Sequence, residues 1–443
     1  MKTKLPKLHV LTLGCSKNAV DSELLLAQAK ANDFLVVDDA KKADMLVINT
    51  CGFIEEAKQE SINAILSGAK LRRKGKLEKL VVMGCLSERY KPDLEKEIPE
   101  VDAYFGTIGL DGKILADILR ELGGDYKTEL LGERWLTTPA HYAYLKISEG
   151  CDNPCSFCAI PLMRGGHKSK PIEALVREAQ SLRNHGAKEL ILIAQDLTYY
   201  GLDLYGKRKL DELLKRLSDV GFEWIRLLYA YPAKFPTEIL PVIRERENIC
   251  KYLDIPIQHA NSDVLKSMRR GVTQNALRDL IKKIRDEVPN IRLRTTLILG
   301  YPTETEKEFN DLLSFIEDIR FDRLGCFSYS REENTVAFAL GDPVPPKEKK
   351  RRVAAAMRAQ EKISLEKNLA LLGSTMRVLV DRIENGLAIG RTEFDAPEVD
   401  NEFVLHSAEA GFDLRSLKVG EFYEAIVTDA EAYDLFGVLK KPV

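Results

Sequence analysis

The chain has 443 residues, of which 45% are hydrophobic and 30% are charged, a balance typical of a globular protein with more than one hydrophobic core. Its 66 Lys and Arg are offset by 68 Asp and Glu, so the net charge of −2 excludes a chain-wide basic field that would attract nucleic acid. The sequence has neither a run of about 18 apolar residues nor the apolar segment of a signal peptide, and we expect a cytoplasmic protein without membrane contact.

Three short apolar segments near the N-terminus each end at a cysteine, and amphipathic stretches separate them. The segments are 7–15, 44–51 and 79–85, with helical patterns at 21–31 and 55–71. This alternation predicts βαβ units around a parallel sheet, in which ligands bind beyond the carboxyl ends of the strands. Because adjacent strands lie about 5 Å apart, the thiols of Cys15, Cys51 and Cys85 can converge on one ligand. The alternative is three buried cysteines that act as small apolar residues.

A second alternating region follows the polar connection 123–139. Its strand patterns lie at 142–148, 190–195, 224–230, 252–257, 292–299 and 324–330. Its helical patterns lie at 172–184, 209–219, 236–246, 275–287 and 304–319. Six β/α units predict a partial (β/α)6 barrel, with the chemistry at the carboxyl ends of its strands. The charged stretch 347–370 predicts a long exposed helix that leaves this barrel.

The last 70 residues contain short strand patterns separated by Gly, Asn and Pro, which predicts a small antiparallel β-barrel. The strand patterns lie at 376–381, 386–392 and 422–430. Residues 373–443 contain seven Lys and Arg against fourteen Asp and Glu, a net charge of −7 that leaves +5 for the rest of the chain. An acidic module repels phosphates and suits a basic protein partner, so we expect no direct tRNA binding.

The sequence therefore predicts an α/β protein of three parts. An α/β domain with a parallel sheet spans 1–125, a partial (β/α)6 barrel with its exit helix spans 137–372, and the small β-barrel spans 373–443.

A compact cysteine loop follows the first barrel strand. Cys151, Cys155 and Cys158 offer three thiolates, and His167 is the nearest candidate for a fourth ligand. Structural zinc sites usually take four protein ligands. Three cysteines on a four-iron cluster leave one iron with an open coordination position, as a reactive iron–sulfur centre needs. The loop favours an iron–sulfur cluster, and a structural zinc that uses His167 is the alternative.

The CxxxCxxC spacing, with an aromatic residue before the last cysteine, resembles the radical S-adenosylmethionine (SAM) superfamily, whose partial barrel agrees with the six β/α units. The segments TLGCSKNAVDSE, INTCGF, MGCLSERY and KISEGCDNPCSFCAIPLMRG resemble the methylthiotransferases, and the resemblance covers essentially the whole chain. In that family a three-cysteine domain precedes a radical SAM barrel and a C-terminal TRAM barrel. CSKN, Asp395–Asp400 and the closing YDLFG are similar to the branch that modifies an aspartate of a small-subunit ribosomal protein.

The resemblance implies a transferase with two 4Fe–4S clusters that uses two SAM molecules per turnover. Cys151, Cys155 and Cys158 would hold the catalytic cluster that cleaves SAM, and the resulting radical would take hydrogen from the β-carbon of the target aspartate. A second cluster, held by the N-terminal cysteines, would carry the sulfur that a second SAM methylates. Its ligands would be Cys15, Cys51 and Cys85. The implied partners are the ribosomal protein, free or within the ribosome, and an electron donor such as flavodoxin.

Four polar residues are candidates for contact with SAM because they stand where strands of the barrel end. Gln195 and Asp196 close the second strand, Gln258 closes the fourth, and Glu304 ends a turn that resembles the GFPGET turn of the family, with Thr303 in place of its usual Gly. Other residues carry weaker expectations: a core or helix-cap role for His259, inert core thiols at Cys250 and Cys326, and either an anion-binding or a surface role for Arg164 and Lys168.

Two other functions stay open from the sequence. One is a tRNA methylthiotransferase that acts on a modified adenosine, whose branch usually has a CQMN-like first motif. The other is a redox or metal sensor that binds clusters without turnover. The net charge of −7 in the last residues favours the ribosomal protein over tRNA as the substrate.

Overall fold

The computed structural model describes residues 5–130, 132–407 and 414–440. The described strands form a five-stranded sheet, a six-stranded sheet, a closed five-stranded barrel and one two-stranded pair. The predicted α/β fold class, with two parallel sheets and a small C-terminal barrel, is confirmed. Within these residues, no helix has both the length and the apolar character that a membrane span requires.

Five parallel strands form the N-terminal sheet in the order β2-β1-β3-β4-β5. They are β1 (Lys7–Thr12), β2 (Leu35–Val36), β3 (Met45–Thr50), β4 (Lys79–Gly84) and β5 (Ala103–Tyr104). The helices are α1 (Ser16–Ala31), α2 (Glu55–Arg73), α3 (Cys85–Glu97) and α4 (Lys113–Glu121). Helices α2 and α3 pack on one face of the sheet, and α1 and α4 pack on the other. The central strands β3 and β4 are therefore buried on both faces, which explains their continuous apolar sequences.

Six parallel strands form the central sheet, which is open and runs in the order β6-β9-β10-β11-β12-β13. Its region contains β6 (Tyr142–Lys146), the antiparallel pair β7 (Ser148–Glu149) and β8 (Lys168–Ser169), β9 (Glu189–Ile193), β10 (Trp224–Leu227), β11 (Ile249–Asp254), β12 (Arg292–Leu299) and β13 (Arg323–Ser328). The helices are α5 (Ile160–Arg164), α6 (Ile172–Asn184), α7 (Leu202–Tyr205), α8 (Leu210–Ser218), α9 (Ile239–Glu245), α10 (Ser262–Ser267), α11 (Gln274–Glu287), α12 (Glu306–Ile319) and α13 (Pro346–Leu369). All six predicted strands are present.

Helix α13 corrects one expectation, because it is not exposed along its length. A stripe of its side chains is buried: Lys349, Arg352, Ala356, Gln360, Ile363, Ser364 and Asn368. These positions recur every three or four residues, so they form one helix face, which packs on α12 and β13. Most of the buried residues are polar or charged, and for that reason the stretch lacked the apolar periodicity of a packed helix.

Five strands close the C-terminal barrel in the order β14-β15-β16-β18-β17. They are β14 (Thr375–Glu384), β15 (Leu387–Arg391), β16 (Glu402–Leu405), β17 (Phe422–Ala430) and β18 (Asp434–Leu439). The sequence predicted β14, β15 and β17 but missed the two short strands β16 and β18. These two strands pair with each other in parallel, and the other strand pairs of the barrel are antiparallel.

Buried side chains join the C-terminal barrel to the central sheet. They lie on the face of the sheet that the helices of the central domain do not cover. Leu379 and Ala396 pack among aromatic residues of β6, β10 and β11. The motif Asp395–Asp400 lies in this contact. Asp395 accepts hydrogen bonds from Arg323 at 2.6 and 2.9 Å, and Asp400 accepts one from the Tyr252 hydroxyl at 2.6 Å. The motif that marked the family resemblance therefore anchors one barrel to the other.

Candidate functional site

Three adjacent strands bring the N-terminal cysteines to one edge of the sheet. Cys15 precedes α1, Cys51 follows β3, and Cys85 is the first residue of α3. Gly14 has a φ of +91°, and a Cβ built there would lie 2.7 Å from the Cβ of Cys51 and 3.0 Å from its sulfur. A Cβ on Gly52 would likewise meet the backbone of Cys85 at 3.0 Å. Close packing of the backbone thus brings the segments that carry the three cysteines to the same edge of the sheet, and convergence of their thiols on one ligand stays a prediction.

Two of these thiols lie in surroundings that disfavour a free thiolate. Burial raises the pKa of the Cys51 thiol, although Arg164 acts in the opposite direction. Burial also raises the pKa of Cys85 to about 12, against the lowering effect of Arg164. Because a bound metal centre supplies the positive charge that stabilises thiolates, these cysteines suit a cationic group better than they suit solvent.

The second set of cysteines lies in the loop after β7. Gly150 begins the loop with a φ of +77°, and a Cβ there would lie 2.1 Å from the carbonyl oxygen of Gly166. The N–H of Cys151 donates to Gly165 O at 3.1 Å, and the N–H of Cys158 donates to Cys155 O at 3.2 Å. The loop therefore folds back on itself, and each of its three thiols lies in the electrostatic field of another.

Two side chains donate hydrogen bonds to the sulfurs of this loop, Asn153 from the loop itself and Arg270 from the connection between α10 and α11. Asn153 Nδ2 lies 3.4 Å from the sulfur of Cys151, and it also donates to Asp196 at 2.8 Å. Arg270 donates to the sulfur of Cys155 at 3.2 Å, and the guanidinium lies 4.1 Å from the ring centre of Tyr231. Donors aimed at sulfur stabilise its negative charge when the thiols are ligands.

Burial disfavours the free thiolate here as well. It raises the pKa of Cys151 to about 11 and that of Cys158 to about 12. This loop, like the N-terminal set, therefore suits a cationic centre that holds its cysteines as thiolates.

The donor set fits an iron–sulfur cluster better than a zinc ion. Among residues 5–130, 132–407 and 414–440, no three or more His, Cys, Asp or Glu side chains are grouped closely enough to hold one metal ion. His167 instead pairs with Ser169, with 3.1 Å between its Nε2 and the hydroxyl oxygen. A cluster places each thiolate on a different iron, so its ligands stand farther apart than those of a single zinc ion. The arrangement does not support the zinc alternative.

A buried network of charged side chains lies between the two sets of cysteines. Arg164 donates to Asp21 at 2.9 Å and to Glu149 at 3.1 Å, and its other nitrogen donates to Asn18 at 2.5 Å. Lys146 donates to Asp21 and, at 2.6 Å, to Glu149. Asn18 and Asp21 belong to the helix that begins after Cys15, whereas Glu149 and Arg164 flank the second cysteine loop. The network therefore joins the two domains at the site.

The network is balanced, with two cations facing two carboxylates. Burial alone would raise the pKa of Glu149, but Lys146 and Arg164 outweigh it and hold that pKa at about 2. Burial alone would lower the pKa of Lys146, and Asp21 and Glu149 outweigh it in the other direction. Each of the four side chains depends on the others because all of them are buried and shielded from water.

Two of the predicted SAM contacts lie beside the second cysteine loop. Gln195 donates to Glu149 at 2.9 Å, and its amide oxygen is buried without a hydrogen-bond partner in the part of the chain that the structure describes. Asp196 caps the turn Leu197–Tyr199 by accepting from Thr198, and it also holds Asn153. Asp196 therefore already serves to position the cysteine loop.

The other two predicted contacts differ in their surroundings. Gln258 has a φ of +71°, a strained conformation for a residue with a side chain, and its buried amide oxygen is unpartnered within the described ranges. Glu304 accepts from Arg352 of α13 at 2.6 Å and from the N–H of Gly300 at 3.0 Å. Its other oxygen lies 3.2 Å from His259 Nε2. Whether these residues bind SAM stays a prediction.

The structure places the residues with weaker expectations in different surroundings. Lys168 is exposed, whereas Arg164 is buried in the network, so of the two only Arg164 lies at the site. His259 is fully buried and accepts from the N–H of Asn261 at 3.0 Å, in agreement with a core or cap role. Cys250 is 1% exposed, whereas Cys326 is partly exposed beside a groove.

Sequence reasoning missed most side chains that surround the cysteines. One signal was available for Lys146 and Glu149, because two charged residues stand in or next to the apolar strand that precedes Cys151, and buried charges need partners. Asn153 stands inside the cysteine loop, between Cys151 and Cys155, and its position was a second available signal that was not used. Tyr231 and Arg270 gave no signal, since nothing in their local sequence indicates a contact with sulfur.

Comparison with known protein families matches three separate parts of the chain. Three family models match it: the Uncharacterized protein family UPF0004 over residues 7–106, the Radical SAM superfamily over 145–316 and the TRAM domain over 372–439. The first two matches contain the two sets of cysteines, and the third covers the C-terminal barrel.

Many curated relatives match the chain, and several of them do so over nearly its whole length. The Ribosomal protein uS12 methylthiotransferase RimO of Chloroherpeton thalassium is 60% identical over 439 residues, which cover 99% of this chain and 100% of that protein. The protein of the same name from Cytophaga hutchinsonii is 53% identical, and the match covers 98% of each chain.

Solved structures share the fold, and one of them covers most of the chain. TsrM, a radical S-adenosylmethionine methyltransferase from Kitasatospora setae with cobalamin and a [4Fe–4S] cluster bound, superimposes with a TM-score of 0.54 at 13% identity. The superposition covers 94% of this chain and 84% of that one.

Proposed function

The chain belongs to the RimO family of ribosomal protein uS12 methylthiotransferases, and from this premise we propose how its residues divide the reaction. It is a radical SAM enzyme that uses SAM and an iron–sulfur cluster, and it transfers a methylthio group to uS12. The observation that carries the proposal is the pair of cysteine sets, one on each side of a buried charge network.

Cys151, Cys155 and Cys158 hold the cluster that binds SAM, and Cys15, Cys51 and Cys85 hold a second 4Fe–4S cluster. When bound, the first cluster supplies the electron that cleaves SAM into a radical able to take hydrogen from the β-carbon of an aspartate, and the second supplies the sulfur. Two molecules of SAM are used in each turnover, one for the radical and one for the methyl group.

The protein's own side chains orient these groups. Asn153 and Arg270 donate to the sulfurs of Cys151 and Cys155, which fixes the cysteine side chains and stabilises their charge. The amide oxygens of Gln195 and Gln258 are buried acceptors without partners among the described residues, and they suit the amino group of SAM. Asp196 and Glu304 complete the set of SAM contacts that we propose.

The substrate is an aspartate of uS12, met free or in the ribosome. The C-terminal barrel, with a net charge of −7 over residues 373–443, attracts a basic protein and repels the phosphates of tRNA. An electron donor such as flavodoxin reduces the SAM-binding cluster. The three parts of the chain, 1–125, 137–372 and 373–443, contribute the sulfur-carrying site, the radical site and the substrate-binding module.

The first experiment counts iron. Anaerobically reconstituted protein is expected to hold about eight iron atoms per chain, and Cys51→Ala or Cys155→Ala is expected to hold about four. Cys250→Ala is the matched control, because Cys250 is a buried thiol outside both sets and its loss leaves iron content unchanged. An iron content near four in the wild type would refute the second cluster.

The second experiment identifies the substrate. Mass spectrometry of uS12 and of tRNA is performed on a strain that lacks this gene. We expect the methylthio group to be lost from uS12 and kept on tRNA. Loss from tRNA with uS12 unaffected would contradict the proposal and favour the tRNA branch of the family.

A further inference from the structure

A groove of about 540 Å³ runs beside β13, the edge strand of the central sheet. Its walls are β13, one face of α13 and the segment 399–401 of the C-terminal barrel. None of the cysteines in the two sets and none of the predicted SAM contacts lines it. The groove is therefore separate from the proposed cluster and SAM sites.

Two buried amides of the groove have unsatisfied hydrogen-bonding groups. Gln360 is 1% exposed and Asn401 is 5% exposed. Neither the amide oxygen of Gln360 nor the amide nitrogen of Asn401 has a hydrogen-bond partner among the described residues. Leaving such groups unpaired is costly unless a ligand satisfies them. One is an acceptor and the other a donor, and a peptide group offers one of each in return.

The free edge of β13 gives the groove a backbone wall. β13 pairs with β12 in parallel, and among the described strands it has no neighbour on its other side. Cys326 and Phe327 point to opposite faces of the strand, yet both line the groove, so the groove follows the strand edge itself. An unpaired edge presents a row of N–H and C=O groups that pair with an extended chain.

The C-terminal end of β13 lies toward the loop that contains Cys151, Cys155 and Cys158. The ring of Tyr329, which follows β13, lies 5.3 Å from the ring of Tyr301. The hydroxyl of Tyr301 in turn lies 2.9 Å from that of Ser156, the residue after Cys155. A chain laid along β13 is thus directed toward the place where the radical is expected to form.

We propose that an extended segment of uS12 binds in this groove as an added strand on β13, an inference that rests on the proposed function. The edge supplies the main-chain hydrogen bonds, and the amides of Gln360 and Asn401 each bind one more polar group of the segment. The lining itself is balanced, with Arg294 and Arg323 against Asp322 and Asp400. The attraction for a basic chain comes from the C-terminal segment beside the groove, whose residues 373–443 carry a net charge of −7.

The test measures the binding of purified, fluorescently labelled uS12 to the reconstituted enzyme by anisotropy. Val399→Arg places a cation at the lip of the groove, and Val419→Arg is its matched control. Both valines belong to the C-terminal barrel and are about half exposed, at 54% and 50%, but Val419 does not line the groove. We expect Val399→Arg to raise the Kd at least tenfold and Val419→Arg to change it less than twofold.

A second variant and a second readout keep the inference testable if the arginine disturbs the fold. Asn401→Leu removes the unpartnered donor without breaking a hydrogen bond of that nitrogen in the described structure, and it is expected to weaken binding several-fold. Hydrogen exchange of the complex is expected to slow at residues 323–328.

Three results would overturn the groove as the binding site: unchanged affinity in both variants, protection confined to other strands, or a wild type that does not bind uS12. Mass spectrometry of uS12 after reaction with the reduced wild type shows separately whether the proposed function stands.

Discussion

Substitution of Arg164 by Met tests whether the charge network holds the two halves of the site together. Arg164 and Lys146 face Asp21 and Glu149 in a region shielded from water, with hydrogen bonds of 2.9 and 3.1 Å from Arg164 to the two carboxylates. Removal of Arg164 leaves two buried carboxylates with one cation. Breaking a buried ion pair in this way costs about 3–5 kcal/mol, so we expect a loss of that size in the free energy of unfolding.

The assay is urea unfolding of protein prepared without iron, followed by tryptophan fluorescence. The chain has two tryptophans, and both report on contacts between its parts. The N–H of Trp135 donates to the carbonyl oxygen of Glu23 in α1, and the ring of Trp224 lies 4.7 Å from that of Phe422 in the C-terminal barrel. Trp135 is expected to respond first when the network is broken.

Two control variants separate the loss of this buried network from the loss of an ordinary ion pair. Arg246→Met breaks an exposed ion pair with Asp219 and is expected to cost about 1 kcal/mol or less. The double variant Arg164→Met with Asp21→Asn restores charge balance, so its loss should be smaller than the sum of the single losses by at least about 1 kcal/mol. Equal losses in Arg164→Met and Arg246→Met, or strict additivity in the double variant, would refute the reasoning.

Three further predictions concern the barrel contact and the strained glutamine. Asp400→Asn removes the carboxylate that binds Tyr252 and Arg294, and it is expected to lower the free energy of unfolding by about 1–3 kcal/mol, measured with urea. An unchanged urea midpoint would count against Asp400 as an anchor of the C-terminal barrel. Burial would raise the pKa of Asp381, but its partners His141 and Arg391 outweigh burial and lower that pKa. The stabilisation that Asp381 provides is therefore present above the ordinary Asp pKa of about 3.9 and is lost as the pH falls below that value. Asp381→Asn should make the urea unfolding midpoint less dependent on pH in this acidic range. Gln258→Gly removes the strain of a side chain at positive φ, so it should raise the midpoint of thermal unfolding, and it should weaken the binding of SAM measured by calorimetry. A lower thermal midpoint would contradict the idea that the backbone of Gln258 is strained.

The position of the cysteines was predictable because it depends on local sequence. Three strands of the N-terminal sheet, β1, β3 and β4, end shortly before a cysteine. Parallel strands end at one edge of a sheet, so Cys15, Cys51 and Cys85 are expected near one another if these strands are adjacent, and the sheet order shows that they are. The loop of Cys151 was predictable for a simpler reason, since its three thiols lie within one short segment.

The charge network and the face of α13 were not predictable, and the physical reason is the same in both cases. Asp21 and Arg164 are 143 residues apart in sequence, and neither sits in a pattern that indicates burial. On α13 the buried positions include Arg352 and Gln360, which resemble solvent-facing residues until their partners are known. Hydrophobic periodicity detects apolar burial only, so polar groups buried by distant partners escape it.

The network bears directly on the proposal that two separate sets of cysteines act on one substrate atom. Asp21 follows Cys15 by a few residues on the same helix, and Glu149 and Arg164 stand on either side of the second loop. The two sets are therefore connected through short chain segments, of six residues from Cys15 to Asp21 and two from Glu149 to Cys151, and one buried hydrogen-bonded network. An exposed ion pair can separate at little cost because water screens its charges. The buried network cannot separate in this way, because separation would leave buried charges without partners. Since transfer of a sulfur to a radical carbon requires reacting atoms at a fixed separation, the buried contact supplies the rigidity that the proposed reaction needs.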